Sequence, residues 1–151
     1  MKIRFLVLGV GNRFRRDDGV GPLVADRLAA DGIPCREASG EGADLMEAWQ
    51  GASHVVLIDA ASSGAAAGTV HRLEASEARV PTGLFHYSSH LFSVAEAIEM
   101  ARILGRLPLR LTVYGVEGRD FSYGDGLSAE VAAAAEIVEG EIRTLAAAAE
   151  T

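Results

Sequence analysis

Cysteine occurs once in the chain, at position 35, which excludes an internal disulfide framework and any zinc site built on several thiolates. A reducing cytoplasm suits that count. Cys35 has no neighbouring histidine or helix start to activate it, so it reads as a small buried side chain. Long apolar runs are also missing. None approaches the roughly 20 residues needed to cross a bilayer, so no membrane association is expected. The apolar stretch after Met1 is only about five residues, short of a signal-peptide core, and it ends in Gly-Val-Gly-Asn without a cleavage site; it reads as a first strand. Basic residues are outnumbered, giving a formal net charge of −7, and aromatics make up 6%. The short cluster Arg13, Arg15, Arg16 has no interleaved stacking platform, which argues against a nucleic-acid partner.

What is present is a globular pattern, long enough at 151 residues for one domain over residues 1–151 with a real core. Residues 3–9 form a continuous β-prone run, as in a strand covered on both faces. Val20, Leu23, Val24, Arg27 and Leu28 recur at helical spacing and predict a helix from about Gly19 to Ala30. A short strand over 33–38 and a helix over Ala43–Gln50 follow, the latter with Leu45, Met46 and Trp49 on one side. His54 to Asp59 is an apolar strand ending on an acid, whereas residues 68–74 alternate, as at a sheet edge. The stretch 75–89 reads as a long loop, and such loops are often functional. A helix from His90 or Ser93 to Leu104, with Ser93 and Glu96 as a capping box, leads to a last strand over 109–116. Ser128 is the expected N-cap of a terminal helix reaching Ala149. Strands separated by helices predict an α/β fold: a twisted, mostly parallel sheet of about five strands with helices on both faces.

Three places carry candidate chemistry. Gly9-x-Gly11 after the first strand suggests a dinucleotide loop, but the third glycine of that fingerprint would fall at Phe14. Asp17 and Asp18 would also repel a pyrophosphate at the helix start. The loop presents carboxylates instead, one of which can cap the helix while the other faces the crevice. Asp59 closes an apolar strand, where a buried acid is costly unless it meets a cation or strong donors. His90, at a helix start, is disfavoured as a cation by the dipole and is therefore suited to ligation. His86 lies four residues before it, while His54 and His71 fall within strand patterns and read as structural or exposed. If the first and third strands are parallel neighbours, Asp18, Asp59 and His90 share one sheet edge. They form an oxygen-rich set with open positions for a borderline metal. Paired carboxylates also do acid–base work without a metal, so spacing alone leaves the mechanism open. No Gly-x-Ser-x-Gly frame is present.

The ordered motifs resemble one family. Gly9-x-Gly11-Asn12 with Asp17-Asp18-Gly19-x-Gly21, then Leu57-Ile58-Asp59-Ala60 with Gly64 and Gly68-Thr69-Val70, are similar to its first two blocks. Ser89-His90, Tyr114-Gly115-Val116-Glu117 and Gly126-Leu127-Ser128 follow in order. The family is the nickel–iron hydrogenase maturation endopeptidases, and the match spans most of the chain. The resemblance implies a three-layer helix–sheet–helix sandwich. It also implies an endopeptidase that removes a C-terminal extension from a hydrogenase large-subunit precursor once nickel is in place. By similarity, the metal contacts and catalytic residues fall on Asp18, Asp59 and His90. Nickel would arrive with the substrate, and no tightly bound organic cofactor and a monomeric state are expected. Two departures stand out: Asp18 where many relatives carry Glu, and Ala67 where a proline is common. By motif, Asp17 and Glu117 sit beside the site without an assigned role. Competing readings are a non-catalytic chaperone that inspects the metal centre of the precursor, and a related peptidase acting on another nickel-protein precursor.

Overall fold

The computed structural model describes residues 4–81, 83–84 and 94–150. Strands β1 (Phe5–Val10), β2 (Cys35–Ala38), β3 (His54–Ala61), β4 (Val70–Glu74) and β5 (Arg110–Glu117) form one sheet in the order β2-β1-β3-β5-β4. The β1–β2, β1–β3 and β3–β5 pairs are parallel, and β4 is antiparallel to β5 at the edge. The alternating run at 68–74 is thus the edge strand its pattern predicts, and the unbroken apolar runs occupy the centre. Val55 to Ile58 are fully buried because helices cover both faces.

Helices α1 (Val20–Ala30) and α4 (Ala129–Ala149) cover one face, meeting Val7, Val56, Ile58, Tyr114 and Val116. Helices α2 (Gly42–Ala48) and α3 (Val94–Ile103) cover the other, over Leu8, Leu57, Leu111 and Val113. This is the expected three-layer sandwich. The side of α2 marked by Leu45, Met46 and Trp49 is buried, and the Trp49 indole N–H donates to the Arg106 carbonyl at 2.8 Å. On α1, Val20, Val24 and Leu28 are buried, while Arg27 reaches across to Glu139 of α4 at 3.0 Å. The described part of the 75–89 loop is turn and irregular chain that tucks Ala75, Val80 and Leu84 into the core. Ser93, half of the expected capping box, lies outside the described residues.

The glycines of the first motif serve packing. A Cβ on Gly21 would lie 2.4 Å from the Ile58 carbonyl oxygen and 2.5 Å from that of Val10, so only glycine lets α1 sit directly on β1 and β3. Gly11, at φ +141, would place a Cβ 2.0 Å from the Asp18 carbonyl oxygen. These contacts draw the turn that carries Asp17 and Asp18 back against the ends of β1 and β3.

Candidate active site at the carboxyl edge of the sheet

Because β1, β3 and β5 are parallel, their carboxyl ends open on one edge. After β1 the chain forms a 3-10 turn over Arg16–Gly19, which packs against β3. The two acids of that turn have different surroundings. Asp17 is fully buried, and its carboxylate accepts the amides of Arg119 at 2.8 Å, Asp120 at 2.9 Å and Ser128 at 2.8 Å. The Ser128 hydroxyl adds a bond of 2.9 Å. Asp17 therefore staples the loop between β5 and α4 to the turn. The Asp17 amide also donates to the Asp120 carbonyl, and the Arg16 amide to that of Gly124. This double tie holds Arg16 in a left-handed backbone with φ +43, which a non-glycine residue adopts only when its surroundings impose it.

Neither acid caps α1, whose N-cap is Gly19 with no side-chain cap bond. Ser128 does stand at the N-cap of α4, but its hydroxyl makes no cap bond and is turned to Asp17 instead. Sequence placed that residue correctly and missed its partner, because a buried carboxylate is a stronger acceptor than the helix is a donor.

Asp18 is 1% exposed and accepts the Asn12 amide on Oδ2 at 3.0 Å. Asp59 is 4% exposed and accepts the amide of Ala60 at 2.8 Å. Burial, and then the charge of nearby Asp18, push the Asp59 carboxyl well above the usual carboxylate range; the Ala60 amide opposes this only in part. The structure thus brings two of the expected site residues together as a buried acid pair. The third, His90, lies outside the described residues, as does His86. Among the described residues no group of three or more His, Cys, Asp and Glu side chains is arranged to hold a metal ion.

The histidines separate clearly. His54 is at the opposite end of β3, buried, with Nε2 3.0 Å from the Thr112 hydroxyl and its ring edge-on to Phe5. Burial, reinforced by Arg110, pulls it down to about 4, so it is a neutral core residue, as its strand position predicts. His71 is neither isolated nor fully exposed: Nε2 lies 3.1 Å from Oε1 of Glu117. Glu117, 2% exposed at the end of β5, also accepts the Ser63 amide at 2.9 Å and the Ser63 hydroxyl. Strand alternation hides this cluster, since its partners are 46 and 54 residues from Glu117.

Among the described residues, nothing at this edge is built for phosphate. The Arg13 guanidinium is held by Asp26 and Glu37, with contacts of 2.6 and 2.7 Å. Arg16 faces Asp120, and Arg15 stacks 4.3 Å from the centre of the Tyr123 ring. Cys35 is partly buried and bonds the Ile33 carbonyl, and burial raises its thiol to about 11, so it is inert as its context suggests. No helix among the described residues is long and apolar enough to cross a membrane.

The hydrogenase maturation protease family model matches residues 37–144, well over half of the chain. The Hydrogenase 2 maturation protease of Escherichia coli is 30% identical over 142 residues, which cover 89% of this chain and 85% of that protein. The hydrogenase expression/formation protein HupD of Rhizobium leguminosarum is 28% identical over 85% of this chain, which spans 66% of that relative's length. Among solved structures, the [NiFe] hydrogenase maturation protease HybD from Thermococcus kodakarensis superposes with a TM-score of 0.75 at 24% identity, covering 95% of this chain and 99% of that one. The hydrogenase maturating endopeptidase HybD from Escherichia coli gives 0.74 at 25% identity, over 93% of this chain and 90% of that one. The family model begins at position 37 and so does not reach Asp17 and Asp18, whereas the Escherichia coli alignment takes in most of the chain. Motif order, fold and these matches agree, and the chain belongs to the hydrogenase maturation protease family.

Proposed function

We propose that this chain is an endopeptidase that removes the C-terminal extension of a nickel–iron hydrogenase large-subunit precursor after nickel insertion, with Asp18, Asp59 and His90 contacting the metal. One observation carries this reading: two buried carboxylates at the carboxyl edge of the sheet, near enough for the charge of Asp18 to act on Asp59. Two like charges taken out of water oppose each other and each loses hydration. A divalent cation delivered between them removes both penalties. Two carboxylate oxygens and an imidazole suit a borderline ion such as nickel, and their open positions leave room for ligands that the precursor supplies.

The nickel is part of the substrate. Three O, O, N donors without a thiolate hold an ion less firmly than the closed four-ligand sets of structural zinc sites. The isolated protein should therefore purify with little metal, and elemental analysis after dialysis against chelator checks this. Family membership supports peptide hydrolysis as the reaction, and the acid pair supports the metal-bearing end of the precursor as the part recognised. The test is incubation of the purified chain with nickel-loaded and nickel-free large-subunit precursors, following the mass of the product. Release of a short C-terminal peptide from the nickel-loaded form alone is expected. Binding without release would instead support a non-catalytic chaperone.

A further inference from the structure

We infer that His71 is a catalytic general base and acid of this site, held in place by Glu117. The inference rests on the peptidase reading above. Its starting point is the register of the three strands at the edge. Asp59 of β3 and His71 of β4 are both paired with Gly115 of β5, one from each side. Directly paired residues project to the same face of a sheet, so Asp59 and His71 share a face across a residue with no side chain. Leu73 and Ala61, two residues along from them, belong to the core beneath α2 and α3, which fixes that face as the one toward α3. With strands about 4.8 Å apart, the two Cα atoms are about 10 Å from each other, a span that accommodates a peptide group between the side chains.

The second observation is how His71 is held. Glu117, two residues beyond Gly115 and 2% exposed, lies 3.1 Å from Nε2. With the Glu117 carboxylate as acceptor, Nε2 is the donor of this bond, and in the neutral imidazole Nδ1 is then the nitrogen with a free lone pair. The His71 side chain is 26% exposed, open enough to meet a substrate. The Ser63 amide and hydroxyl donate to the same carboxylate and fix it from the loop after β3. Since the Ser63 hydroxyl is bonded to Glu117 and not to the imidazole, the cluster is a base with its orienting acid and not a serine nucleophile with its base.

In the reaction, Nδ1 of His71 takes a proton from water as the water oxygen bonds to the scissile carbonyl carbon. The C–N bond then breaks, and the same proton passes to the departing nitrogen. Water supplies both the hydroxyl and the proton, and nothing is oxidised or reduced. Asp18 and Asp59 would hold the metal-bearing end of the precursor while His71 works on the bond. Glu117 is a positioning residue, acting through the imidazole.

The experiment uses the full chain and nickel-loaded precursor, measuring kcat, KM and precursor affinity for wild type, H71Q, E117Q and H71G. Gln keeps an Nε2 donor for Glu117 but cannot shuttle a proton. H71Q should fold, bind precursor as wild type does, and lose on the order of 100-fold or more in kcat. E117Q should lose less, and imidazole in the medium should restore cleavage to H71G. Cleavage by H71Q within about threefold of wild type overturns the inference while leaving the peptidase reading standing. Loss of precursor binding by H71Q, or H71G that imidazole does not restore, also overturns it, leaving His71–Glu117 a structural pair. A wild-type protein that cleaves no precursor overturns the peptidase reading, and the inference with it.

Discussion

Replacing Asp17 by Ala should be among the most damaging single changes outside the apolar core. Its carboxylate is fully buried and receives three amides and one hydroxyl from Arg119, Asp120 and Ser128. Hydrogen bonds to a charged acceptor contribute about 1.5–3 kcal/mol each, and donors left buried without a partner cost a similar amount. Arg119 and Asp120 are exposed residues, so water can replace part of what is lost. That places the destabilisation at about 3–5 kcal/mol, a large share of an ordinary domain's stability. For a chain of this length the melting temperature should fall by roughly 6–20 °C. Urea unfolding followed by the fluorescence of Trp49, the single tryptophan and 3% exposed, reads the effect directly. D17N, which keeps one acceptor oxygen but turns an N–H toward donors, should fall between wild type and D17A. A D17A protein within about 1 kcal/mol of wild type would refute the staple and the force assigned to it.

Asp59 should behave in the opposite way. D59N should lose tail removal yet be at least as stable as wild type at pH 7. Because burial and Asp18 raise the Asp59 carboxyl, the unfolded chain ionises first as pH rises, and wild type loses stability that D59N keeps. The difference should vanish below about pH 4, where both chains are uncharged at this position, and urea titrations at several pH values check it. His54, lowered to about 4, contributes stability that is fully present above the ordinary histidine value and lost as pH falls from there toward 4. Unfolding of wild type and H54Q at pH 7 and pH 5 should show the gap between them narrowing at the lower value.

Much of the architecture was legible because local patterns match their burial. The unbroken run from His54 to Asp59 predicts a central strand, and the alternation at 68–74 predicts the edge; both lie where expected. Trp49 with Leu45 and Met46 marks the buried side of α2 without knowledge of its neighbours. Asp18 and Asp59 were legible as candidates because an acid at the end of an apolar strand, or doubled at a helix start, is costly without a purpose. Less visible were interactions whose partners are remote in the chain. Asp17 finds its donors 102 to 111 residues away, so its likeness to Asp18 in sequence conceals a wholly different job. His71 gains significance only once the sheet order places Gly115 between it and Asp59. The glycines resembling a nucleotide loop, Gly9 and Gly11, are explained by the carbonyl oxygens of Gly21 and Asp18, contacts that no spacing rule reveals.

The most direct measurement of the central claim is the mass of a nickel-loaded large-subunit precursor after incubation with wild-type, D18A and D59A proteins, each first shown to be folded by circular dichroism. The account predicts loss of the C-terminal peptide with wild type and an uncut precursor with either variant. A D18A or D59A protein that releases the peptide at the wild-type rate would contradict it.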